Sequence, residues 1–70
     1  MLEVDLLILI RRAVEEKMES YESQLKEATN PLYTTVFISL IETHTIAIGY
    51  LNFKIGELEW EKSISQSNYI

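Results

Sequence analysis

One dipeptide, Asn30-Pro31, divides this chain between two apolar stripes of helical period. Before it, Leu7, Ile10, Val14, Met18, Tyr21, Leu25 and Ala28 recur at steps of three and four. After it, Tyr33, Phe37, Leu40, His44, Ala47, Leu51, Ile55 and Leu58 do the same. Such spacing puts every member of a stripe on one side of an α-helix. Asn is a favoured N-cap, and Pro suits the first helical position because its missing N–H would have no partner there. The pattern predicts an all-α fold, an antiparallel two-helix hairpin turned at Asn30, occupying 1–62 as a single domain. The polar segment 63–70 reads as a disordered tail.

The second half carries a rival reading. It is rich in β-branched residues, among them Thr34, Thr35, Val36, Ile38, Ile41, Thr43, Thr45, Ile46 and Ile48. These favour strands, so the alternative is an α+β fold, a helix followed by a short antiparallel sheet. Against it, the strand-like alternation slips phase, and no Asn-Gly or Asp-Gly turn separates the candidate strands. The helical stripe from Tyr33 to Leu58 has no phase break.

Seventy residues make a marginal core. Small domains draw on disulfides, metals or oligomerisation for support. The chain has no Cys and a single His, which leaves oligomerisation. Residues Leu2 to Ile10 are apolar around most of the helix circumference, and one partner helix cannot cover them. Ile38, Ile46, Tyr50 and Phe53 pose the same difficulty in the second helix. A homodimer, built as a four-helix bundle, is therefore expected. Its candidate packing residues are Leu6, Ile10, Ile46, Gly49 and Phe53. Gly49 is included because glycine weakens a helix unless another backbone must approach it. Gly56 reads equally well as a close contact or as a helix end.

The formal charge of −5 comes from 11 acidic and 6 basic side chains. Phosphate contacts need Lys and Arg, so nucleic acid is not an expected partner. Arg11 and Arg12, the one adjacent basic pair, lie one turn from Glu15 and Glu16 and should pair with them. An acidic start and a short apolar run do not resemble a signal peptide. The nearest membrane-span candidate, Leu32 to Leu51, is interrupted by Glu42, Thr43, His44 and Thr45. A membrane partner is not expected, and the location is read as cytoplasmic.

No phosphate loop, dinucleotide fingerprint or nucleophile elbow is present, and no catalytic set surrounds His44. No enzyme activity, cofactor or metal is expected. Glu15, Glu16, Glu19 and Glu22 form a solvated acidic face and, with Trp60, are the candidate partner-binding residues. His44, placed at the level of Val14 to Met18 with Glu15 nearby, reads as a polar core residue held by one hydrogen bond. It is the candidate pH-sensitive element, because charging a buried imidazole without a partner is disfavoured. The function read from these features is a small protein-binding module without catalysis. It would be a regulator or inhibitor of the kind phages and mobile elements encode, acting on a host protein through a helical dimer. The alternative is a nucleic-acid adaptor built as a two-helix dimer.

Overall fold

The computed structural model describes the backbone of residues 3–67 and the side chains of residues 3–64. Two helices, α1 (Glu3–Glu27) and α2 (Pro31–Ser67), pack against each other as an antiparallel hairpin, and the described residues contain no strand. The hairpin expectation holds and the α+β alternative does not.

The turn forms as its residues dictate. The Asn30 side-chain oxygen accepts a hydrogen bond from the Leu32 N–H at 2.8 Å, and its carbonyl accepts the Thr34 N–H at 3.0 Å. Asn30 is thus the N-cap and Pro31 the first helical residue. At the other end of the connection, the Ala28 N–H closes on the Leu25 carbonyl. Glu3 and Asp5 sit in the first turn of α1 and Lys26 in the last, matching the helix dipole.

The β-branched residues of α2 are accommodated by internal bonding. Thr34, Thr35, Thr43 and Thr45 each donate a hydroxyl hydrogen to the carbonyl four residues earlier, at 2.9 to 3.2 Å. A threonine satisfied in this way leaves no buried polar group, and packing overrides its modest preference for strands. Gly56 lies inside α2, so it is not a helix end. The helix also continues through 63–67, past the boundary expected at 62. Extending an existing helix requires no new nucleation, and Ser and Gln weaken it only mildly. Met1 and Leu2 of the apolar amino terminus, and Asn68, Tyr69 and Ile70 of the tail, lie outside the described residues.

Shielded positions in α1 follow a strict three-four alternation: Val4, Leu7, Arg11, Val14, Met18, Tyr21, Leu25. In α2 the matching seam is Thr34, Phe37, Ile41, His44, Ile48, Leu51, Ile55, Leu58. This is the heptad seam of a coiled coil. It shifts the expected stripe by one residue at four places: Ile41 stands for Leu40 and Ile48 for Ala47, all four half-buried, and two further shifts exchange a shielded residue for an exposed one. Arg11 takes the place of Ile10, which is 42% exposed, and Thr34 that of Tyr33, at 59%. Only Leu51 and Ile55 are buried outright among the described residues. The molecule is a rod of 61 × 18 × 13 Å with a radius of gyration of 17.0 Å. A compact domain of this length would have about 11 Å.

Candidate functional site

Four cross-helix contacts set the register of the hairpin. The Arg11 guanidinium donates to the Asn52 side-chain oxygen at 2.7 Å. The Thr45 hydroxyl lies 3.4 Å from the Met18 sulfur. The Tyr21 ring meets the His44 ring edge-on, with centroids 5.2 Å apart and planes at 81°. Tyr21 also touches Phe37, at 6.2 Å between centroids. In this register the first turn of α2 projects beyond the end of α1, which leaves Leu32 and Tyr33 exposed.

That overhang moves His44 relative to the expected level. Its neighbour is Tyr21, one turn closer to the connection than Met18, and not Glu15. Glu15 is drawn instead to Arg11, at 3.6 Å. His44 is part-buried, and its Nδ1 donates to the Leu40 carbonyl at 2.7 Å. One ring nitrogen is thereby satisfied and an aromatic edge contact is made; no acid stands against the ring in the contacts described.

The outer face of α1 is polar along most of its length. Glu15, Glu16, Glu19 and Glu22 are all exposed. Arg12 pairs with Glu16 at 3.4 Å, so both expected arginine–glutamate pairs form. At such exposure they add only a few tenths of a kcal/mol each. Lys17 lies 5.6 Å from the Tyr21 ring centroid. Leu6, Ile8, Leu9 and Ile10 form an apolar patch at the start of the helix, each 37–51% exposed.

The outer face of α2 is of the opposite character. Leu32, Val36, Ile38, Ile46, Tyr50, Phe53, Trp60 and Ile64 are all exposed, from 39% to 73%. The candidate packing residues therefore divide: Ile46, Gly49 and Phe53 lie on α2, whereas Leu6 and Ile10 lie on α1. A Cβ built at Gly49 or Gly56 meets nothing within 4 Å, so neither glycine is required by packing within the chain. Trp60, at 65% exposure, belongs to this apolar face and not to the acidic one. Lys54 bonds Glu57 at 3.1 Å, and this hydrogen bond first, then the carboxylate charge, raises the Lys54 ammonium above its ordinary 10.5.

Glu42 is the one formal charge between Pro31 and Phe53. By length and mean hydropathy, Pro31–Ile64 meets the requirement for a membrane-crossing helix. The threonines that interrupt the run in sequence bond internally, which reduces their polarity. At the open end of the hairpin a cleft of about 530 Å³ lies between Val4 and Ile8 of α1 and Leu58 of α2, with Glu3, Glu59 and Lys62 at its edge. Among the described residues, no three His, Asp or Glu side chains are grouped to hold a metal ion. The chain matches no protein-family model, no curated protein and no solved structure.

Proposed function

We propose that this chain is a non-catalytic protein-binding module that acts as a helical homodimer. The observation that carries the reading is the opposition of its two outer faces. One is an acidic helix surface with Glu15, Glu16, Glu19 and Glu22 exposed, and the other is an apolar helix surface of eight large side chains. Monomeric proteins seldom expose contiguous apolar area on this scale, so the α2 face suits assembly. The acidic α1 face then remains in solvent, suited to a basic protein surface, where complementary charge steers association and selects partners.

The binding reading is tested by capture with the tagged full chain and with Glu16→Lys/Glu19→Lys. Recovery of one protein at defined stoichiometry, lost on charge reversal and weakened by salt, is expected. Recovery of nucleic acid would support the adaptor reading instead. Equal capture by both chains would show that the acidic face is not the binding surface.

A further inference from the structure

Most of the large exposed apolar side chains of α2 are not scattered. Leu32, Val36, Ile46, Tyr50, Phe53, Trp60 and Ile64, with Ser39, Thr43 and half-buried Glu57 between them, fall at alternating steps of four and three along the helix, and Tyr33 and Ile38 lie off this line. This is a second heptad seam, separate from the one that packs on α1. At 100° per residue the two seams lie roughly 160° apart around the helix. A repeat of 3.5 residues keeps one stripe facing a single straight partner along its full length. A lipid surface imposes no such repeat, so the pattern calls for another helix of similar length.

We infer that the outer seam of α2 pairs with the same seam of a second copy, antiparallel, so that the helices stack in the order α1, α2, α2, α1. This rests on the reading of the chain as a homodimer and specifies its interface. Seams on nearly opposite sides of α2 give a row of helices, not the square four-helix bundle that sequence suggests.

The seam is complementary to its own reverse. With full antiparallel overlap, Leu32 meets Ile64 of the second copy, Val36 meets Trp60, Thr43 meets Phe53 and Ile46 meets Tyr50. Smaller side chains are thus set against larger ones at most levels. The one charged member, Glu57, is already neutralised by Lys54 and falls opposite Ser39 of the second copy, a hydroxyl it can bond. The same overlap places Gly49 beside Gly49 of the second copy next to the two-fold axis, and Glu42 beside Gly56. The two glycines that nothing in the hairpin explains then mark where two backbones approach. A two-fold interface must be self-complementary in this sense.

The area agrees. The chain exposes 5591 Å², against about 4,500 Å² for a compact protein of its mass. The excess, on the order of 1,000 Å², is close to the ~800 Å² each partner contributes to a standard stable interface.

The absence of native cysteine makes the orientation testable by cross-linking the full chain. Val36→Cys and Trp60→Cys are purified separately, mixed and mildly oxidised, with Thr43→Cys and Phe53→Cys as a second pair in case Trp60 proves needed for folding. Helix content is checked for each by circular dichroism. The mixed disulfide should form at least tenfold faster than either like-with-like disulfide. A dominant Val36→Cys homodisulfide would mean parallel pairing and overturn the proposal. So would a wild-type chain that is monomeric at tens of micromolar. So would wild-type chain that is monomeric in buffer but takes up phosphatidylcholine vesicles with a blue shift of Trp60 emission, because lipid would then cover the seam. Failure of the pairing appears in mass and cross-links. Failure of the binding reading appears in capture through Glu16 and Glu19, so the two are distinguishable.

Discussion

The two helices of this hairpin solve different problems. Along α1, shielded positions fall on one heptad seam, and most of what faces outward is charged or small. Along α2, an inner seam from Thr34 to Leu58 is matched by an outer one from Leu32 to Ile64, and polar residues are too few to form a solvated side. Seven of the eleven acidic side chains lie in α1, while α2 carries one formal charge before Lys54. A helix whose apolar pattern exceeds what its visible neighbour covers is suited to a second neighbour. The larger excess belongs to α2, so the assembly should be more sensitive there than at the Leu6 to Ile10 patch of α1.

The largest expected effect lies on the inner seam. Ile55→Ala removes one of the two buried apolar side chains among the described residues, and a core truncation of this kind costs about 2–5 kcal/mol. The loss should be the same at every protein concentration if the inner seam belongs to the hairpin. Urea melts at 1 and 50 µM, roughly spanning a micromolar dissociation constant, would check this. Ile46→Ala, on the outer seam, should cost only about 1–2 kcal/mol, and chiefly at the higher concentration. Equal loss from Ile46→Ala at both concentrations would break the contrast between the seams.

A smaller effect, of about 1 kcal/mol, is expected at two helix-specific positions. Asn30→Ala removes the cap bond to Leu32 and should lower stability by about that amount. Gly49→Ala should act in two directions. It raises helix propensity by about 1 kcal/mol in the separated hairpin, where the new methyl meets nothing. It should weaken self-association, where the methyl meets the second copy. Strengthened association would place Gly49 away from the interface.

The smallest effect concerns the Lys54–Glu57 pair. Lys54 is held above its ordinary 10.5 by the bond to Glu57. Any stability it contributes is therefore complete below pH 10.5 and fades as pH rises through the higher folded value. Glu57→Gln should remove that alkaline slope and lower stability at neutral pH by the same small amount. An identical alkaline profile in both chains would show the pair to be without effect on folding.

Much of this architecture is legible in the residues, and where it is not the cause is physical. Asn30-Pro31 declares its own turn because capping is local chemistry. The seams are displaced by one position at Ile10, Tyr33, Leu40 and Ala47, and at Ile10 the cause is that hydrophobicity ranks Ile above Arg. Geometry selects Arg11 instead, whose aliphatic stem fills the seam while its guanidinium reaches Asn52. His44 is misplaced by one turn because the overhang of α2 beyond Glu27 is a property of the connection, which no periodicity encodes. The outer seam is present in the spacing, but Ser39, Thr43 and Glu57 interrupt its hydrophobicity and conceal its period. Tyr50, Phe53 and Trp60 then read as isolated off-stripe aromatics when they are steps of one seam.

Coverage of the outer seam of α2 by a second copy would double the mass of the particle in solution. Sedimentation equilibrium of wild type, Glu16→Lys and Ile46→Glu should be run side by side at about 20 µM, a range that reads micromolar affinity. Wild type and Glu16→Lys should both sediment as two 8.2 kDa chains. Ile46→Glu places a charge in the seam and should sediment as one chain with its helix content retained. A wild-type monomer, or an Ile46→Glu chain that still dimerises as tightly as wild type, would mean that no second copy covers the outer seam.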